Sequence, residues 1–371
     1  MGLPAGQGPG VNHITAALLV LTMAVGLPSA VLAQQTHLVV VSGLGGAQEY
    51  RDRFHEWSVR LVDAAIDRHR IPAEQVVYLA ERPHRDTHRI HARSTWENVQ
   101  TAITDVAERA AARDLVLIVL IGHGSFSGSA SQFNLPGPDP TIVDFSVALD
   151  ELREQRVVFV NTAASSGEFI AGLSGPNRTI ITATKTARER NETRFGEFFV
   201  DAIAGGTATV FESTVATESA SAVAINTAAD ANKDSRISLL EAFNYARREV
   251  ARVYEQDGLL LTEHAMLDDN GDGNGSSDPD PVALGADGRI AQALFFTPGS
   301  ALATAELKTD DPTLVALYAE RKALEERVLA HRILKDGMDA MVYEQELERL
   351  FVELALKNRE IRQTEDRVPK Q

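Results

Sequence analysis

Val116–Leu117–Ile118–Val119–Leu120–Ile121–Gly122–His123–Gly124–Ser125 is an unbroken apolar run that stops on Gly-His-Gly. Leucine and β-branched residues on consecutive positions, without polar alternation, predict a strand covered on both faces, as in a parallel sheet. A second such run, Arg156–Val157–Val158–Phe159–Val160–Asn161, leads into Thr162–Ala163–Ala164–Ser165–Ser166–Gly167. If both runs are strands of one parallel sheet, their polar ends meet at its carboxyl edge.

Working outward, the chain alternates strand-like and helix-like segments from His37 to about Thr184. Strands are expected at His37–Ser42, Gln75–Ala80, Asp114–Ile121, Arg156–Asn161 and Arg178–Thr184. Helices are expected at Tyr50–His69, Thr95–Ala112, Phe145–Glu154 and Phe195–Ala204, with Ser94 and Glu97 forming a capping box for the second. The Ser-, Gly- and Pro-rich stretch from Ser125 to Pro140 reads as a loop over the sheet edge. The expected class is therefore α/β, a mostly parallel sheet with helices on both faces.

These residues carry a resemblance. A strand ending in His-Gly followed by one ending in Ser-Gly resembles the caspase and legumain-like cysteine peptidases. Ser94–Thr95–Trp96–Glu97–Asn98–Val99 before the first strand is similar to the helix-opening segment of bacterial caspase-like domains. The likeness runs from His37 to Thr186. It implies that His123 stands at the general-acid position and that Gly124 supplies an oxyanion N–H. It also implies that Ala164 occupies the place of the nucleophilic Cys. Alanine has nothing that can attack, and the chain has no cysteine. Nucleophilic catalysis needs a lone pair that can be activated. Ser165 is the alternative nucleophile, although continued strand geometry would point it away from the face of residue 164. Ser166 matches the family's own serine. Ser125 and Ser127 follow His123, but Gly124–Ser125–Phe126–Ser127–Gly128 has Phe126 where a nucleophile elbow would need serine.

Length and composition bound the rest. With 371 residues, 44% of them hydrophobic, the chain can build one large domain and an accessory piece. A formal net charge of −16 excludes nonspecific nucleic-acid or anionic-membrane binding as the main activity. Residues 1–33 read as a signal peptide: Ile14 to Leu27 is largely apolar, and Val31–Leu32–Ala33 offers a cleavage site. The expected destination is the periplasm or the extracellular space, with no membrane contact after cleavage. The absence of cysteine fits an exported protein without a disulfide framework.

Two acidic loops follow the alternating region. Asp230–Ala231–Asn232–Lys233–Asp234–Ser235–Arg236–Ile237–Ser238–Leu239–Leu240–Glu241 resembles an EF-hand loop. Its ligands would be Asp230, Asn232, Asp234, the carbonyl of Arg236, Ser238, and a bidentate Glu241 on the following helix. Ser235 replaces the usual glycine. Asp268, Asn270 and Asp272 repeat the oxygen spacing, with Gly273 at the turn, but Pro279 stands where the closing Glu belongs. Asp278 or Asp280 is the expected substitute. A structural Ca²⁺ is the implied ion for both loops; the competing reading is a pair of Asn/Asp-rich turns, the first capping a helix.

The strong helix Leu239–Tyr254 follows the first loop. From Asp311 the sequence is charged and helical, with stripes at Leu317, Leu324, Val328 and at Leu347, Leu350, Leu354, Ile361 separated by Gly337. Residues 34–300 are thus expected to form the main domain and 301–371 a helical hairpin, packing on that domain or mediating self-association. His84, His88 and His91 have helical spacing, but Pro83 and surrounding arginines favour an exposed basic loop over a metal site. Gly43–Leu44–Gly45–Gly46 lacks a phosphate-loop ending and reads as a tight turn. The expected function is a degenerate peptidase domain binding peptide or protein. The alternatives are a serine-dependent hydrolase and a structural assembly module.

Overall fold

The computed structural model describes residues 34–205 except 113, 228–297 except 235, part of 313–328, and 340–365. The predicted signal peptide, residue 235 and Gly337 lie outside them. In chain order the main elements are β1 (Thr36–Ser42), α1 (Gln48–Asp63), β2 (Val76–Ala80), β3 (Ala92–Arg93), α2 (Trp96–Arg109), β4 (Leu115–Ile121), β5 (Gly124–Phe126), β6 (Ser131–Phe133), α3 (Ile142–Leu149), β7 (Arg156–Asn161), α4 (Phe169–Leu173), β8 (Arg178–Thr182), α5 (Phe195–Ala204), α6 (Leu239–Gln256), β9 (Met266–Asp268) and α7 (Ala340–Glu365).

Parallel pairing of the two apolar runs organises the fold: Leu115 faces Arg156 and Leu120 faces Asn161. On its other side β4 pairs in parallel with β1, from Thr36–Leu115 to Ser42–Ile121. The sheet order is β3-β2-β1-β4-β7-β8-β9, and only β9 runs antiparallel, against β8. The fold class is therefore the one expected. Every side chain of β4 is buried because both faces are covered. Leu117, Val119 and Ile121 pack in one core with α1, α5 and α6, through Trp57, Phe199 and Phe243. Val116, Ile118 and Leu120 pack in the other with α2, α3 and α4, through Ile103, Phe145 and Phe169. Each such side chain contributes roughly 1.5–3 kcal/mol on leaving water.

Local chemistry sets the boundaries. The N-cap of α2 is Thr95, whose side chain accepts from Asn98 N, rather than Ser94, which is buried. The start of α3 is Ile142, ahead of the expected Phe145, because Thr141 and Asp144 form a reciprocal capping box. The stretch after His123 is not all loop: β5 and β6 form a short antiparallel hairpin. Around His84, His88 and His91 there is only a short turn at Pro83–Arg85, and Arg89 pairs with Asp63 and Asp86.

The described residues between 313 and 328 are helical. They run antiparallel to α7, because Glu320 pairs with Lys357 and Arg327 with Glu353. Leu314, Leu317 and Ile361 form their shared core. Asn358 of α7 is buried and donates to the Lys233 carbonyl at 3.2 Å, tying the helix to the first acidic loop.

Candidate functional site

Strand order alone creates the site. The chain leaves β1 for β2 on one side, then crosses back to β4 on the other, so the carboxyl ends of β1 and β4 form a switch point. Gly43 N donates to the Ile121 carbonyl at 2.9 Å, and Thr162 N to the Leu120 carbonyl at 3.1 Å. These bonds splice the three strand ends β1, β4 and β7 into one rim. Gly124 then passes directly under Ala164: a Cβ at residue 124 would overlap the Ala164 carbonyl oxygen. Gly167 likewise leaves no room for a side chain against the Lys185 backbone. Glycine is required at both positions by close approach.

This packing brings His123 and Ala164 together. Both line a narrow notch of about 10 Å³, walled by Phe54, Trp57, Glu192 and Thr193. That volume is close to the space of a single water molecule. The His123 ring stands edge-on to Tyr50 and Phe54, with centroids 4.5 and 4.9 Å away. Burial pulls its pKa below the usual value, partly offset by the Glu192 carboxylate and by a hydrogen bond to the Gly45 backbone. Burial thus favours the neutral imidazole. Glu192 is held by Arg53 and by the Tyr50 hydroxyl, 2.9 Å away.

The nearby serines are placed otherwise. Ser165 has φ +56°, so the chain has already turned out of strand geometry there. It is buried, and its Oγ makes no hydrogen bond among the described residues. It does not line the notch beside His123. Ser166 Oγ lies 3.1 Å from Thr184 Oγ1, which also accepts from the N–H groups of Ser166 and Gly167. Ser125 Oγ donates to Asn134 Oδ1 at 2.9 Å, and Ser127 Oγ to the Ala130 carbonyl. Thus the turn offers the notch a methyl group, while its hydroxyls face elsewhere.

Sequence reasoning missed the remaining walls. Tyr50, Phe54 and Trp57 lie within one apolar face of α1, and that spacing was a usable signal. Glu192 and Thr193 come from a polar loop without a motif. That loop is fixed from below by Glu263, a buried carboxylate accepting from Arg194 N and Phe195 N at 2.8 and 2.7 Å. Burial pushes Glu263 up to about 7. His264 and Glu189 add a 2.9 Å contact between the same segments.

The two acidic loops fold alike. In the first, Asn232 Oδ1 accepts from Asp234 N, Asp234 Oδ1 from Arg236 N, and Glu241 Oε1 from the N–H groups of Ala231 and Asn232. In the second, Asn270 Oδ1 accepts from Asp272 N and Asp272 Oδ1 from Asn274 N. The position of Glu241 is taken there by Asp287, whose Oδ1 accepts from the N–H groups of Asp269 and Asn270. Asp268 is fully buried and accepts from Gly271 and Gly273. Asp278 pairs with Arg247 and Asp280 accepts from Val282 N, so neither expected substitute closes the loop.

Burial pushes Asp287 up to about 6, with Asp268 and Asp269 adding to the rise. Burial also raises Glu241, and the nearby Asp234 carboxylate raises it further. Among the described residues no three acidic or imidazole groups already stand in metal-clasping positions. Ser238 and Glu241 also form a reciprocal capping box for α6, so the first loop serves as a helix start as well. The oxygen-only donor sets suit a hard cation.

Comparison with known proteins adds no assignment: no family model matches the chain, and no curated protein matches it.

Proposed function

We propose that the chain is an exported caspase/legumain-like peptidase-fold protein that holds a peptide or protein segment at its sheet edge without cleaving it. One observation carries this reading: Ala164 shares a notch with His123 at the carboxyl ends of β4 and β7. An imidazole can exchange a proton there, but among the described residues no thiol or hydroxyl lines the notch with it except those of Thr162 and Thr193. Each of these hydroxyls is engaged: Thr162 Oγ1 donates to the Leu120 carbonyl and Thr193 Oγ1 to the Thr162 carbonyl. Because the notch is so small, a bound segment lies across the rim and inserts no large side chain.

The test is turnover of a pooled fluorogenic peptide library with Ca²⁺ present, comparing the unmodified chain with Ala164→Cys and His123→Ala. Cleavage appearing only in Ala164→Cys is the expected result. Cleavage by the unmodified chain, abolished in His123→Ala, would overturn the reading in favour of a serine-dependent hydrolase. If Ala164→Cys folds but neither cleaves nor retains any library peptide, the edge is idle and the chain is a structural assembly module. Cell fractionation tests export, which predicts a mature chain beginning at Gln34.

A second reading concerns the loops, and their matching hydrogen-bond patterns favour it. Asp230, Asn232, Asp234, the Arg236 carbonyl, Ser238 and Glu241 would hold one Ca²⁺. Asp268, Asn270, Asp272 and Asp287 would hold another. The ion would supply positive charge to carboxylates that are costly to bury ionised. Calorimetric titration of the metal-stripped chain with Ca²⁺ should show binding that Asp268→Asn removes in part. A titration without heat, together with an unchanged melting temperature on chelation, would reject the reading.

A further inference from the structure

One face of α7 carries exposed apolar side chains. Leu350, Leu354, Asn358 and Ile361 are buried, whereas Met341, Val342, Val352 and Leu356 are 49 to 69% exposed. At about 100° per residue the exposed four share one stripe, opposite the buried four. Val352 and Leu356, one turn apart, are neighbours on that stripe.

Charge beside the stripe indicates what covers it. Glu344 and Glu348 lie along one flank in the first half of the helix, and Arg359 lies on the same flank in the second half. None of the three forms an ion pair among the described residues, whereas Arg349 is occupied by Glu346 and Glu353 and Lys357 by Glu320 and Glu360. The flank is thus acidic at one end and basic at the other. A parallel two-fold copy would turn this flank towards the opposite flank of its partner, so like flanks meet only in an antiparallel pair. An antiparallel copy sets the acidic end of each helix beside the basic end of the other, twice, by two-fold symmetry.

We propose that a second copy of this chain docks on α7, helix against helix and antiparallel, through Val352, Leu356 and the Glu348/Arg359 flank. The assignment is independent of what the His123 notch does.

Sedimentation equilibrium of the full chain over a range of micromolar concentrations tests it. A monomer–dimer equilibrium is expected, and Leu356→Asp should raise the dissociation constant on the order of a hundredfold. Glu348→Arg and Arg359→Glu should each weaken the dimer roughly a few-fold, and combining them should restore it. None of these side chains is buried in the chain's own core, so circular dichroism and the melting temperature of the dilute monomer should not change. A chain that stays monomeric at every concentration overturns the proposal and assigns the stripe to another occupant. A dimer indifferent to Leu356→Asp, or a charge-reversed pair that fails to recover, overturns it equally.

Discussion

His69 shows how one buried group sets a pH response. It lies 3.0 Å from the Ile203 carbonyl through Nε2 and 3.1 Å from Thr297 Oγ1 through Nδ1. The carbonyl only accepts, so Nε2 carries the proton and Nδ1 accepts from the threonine hydroxyl. Burial lowers its pKa to about 4, against about 6.5 for an unfolded chain. Between those values the unfolded chain binds a proton that the folded chain does not. Stability from this site is therefore full above pH 6.5 and falls by up to about 3 kcal/mol as pH drops towards 4. Glu263 has the opposite slope, because its raised folded pKa costs stability as pH rises through about 7. Chemical denaturation of His69→Gln should show the acid-side slope reduced by about one proton relative to the unmodified chain. An unchanged slope would show that His69 is not the responsible group. At the rim, Gly124→Ala should destabilise by at least about 2 kcal/mol, since its methyl would overlap the Ala164 carbonyl. A variant with unchanged denaturation would show that the two turns separate readily. Residue identities such as His123 and Ala164 were legible in the sequence. The position of Ser165 was not, because the positive φ that removes it from strand alternation has no glycine to announce it.

Among the elements, long periodic segments were readable and short ones were not. The five expected strands and four expected helices of the alternating region are present, with ends moved by a few residues. β3, α4 and β9 have two, five and three residues, too few for a hydrophobic period to register. Caps explain the moved ends: Thr95 is preferred to Ser94 because its hydroxyl remains at the helix mouth while Ser94 is buried. Thr95→Ala should cost about 1 kcal/mol by denaturant titration, and Ser94→Ala should leave helix α2 capped. Equal losses in near-identical native spectra would contradict that division. The closing group of the second acidic loop was hidden for another reason. Asp287 lies far along the chain from Asp272, and only the folded loop brings it to the N–H groups of Asp269 and Asn270.

For the whole molecule, the parallel sheet decides both the two cores and the site, and that much was written in the apolar runs. Which loops wall the notch depends on long-range contacts such as Glu263 with Arg194 and Phe195, and those have no local signature. If the acidic loops take up Ca²⁺, the melting temperature of the whole chain should rise with the metal. The α6 helix should share the gain, because it begins at Ser238 within the first loop.

The hydrogen bond from Asn358 to the Lys233 carbonyl has a mechanical consequence. A load applied at the C-terminal end passes along α7 and through this bond to the first acidic loop, with the seven-stranded sheet behind it. In a pulling experiment between the two ends of the described chain, α7 should peel off at low force as a separate step. The sheet, with β1 clamped along its length between β2 and β4, should yield later and in shear. Asn358→Ala should lower the force of the first step alone, making the C-terminal helix a tether that can be released without unfolding what it is tied to.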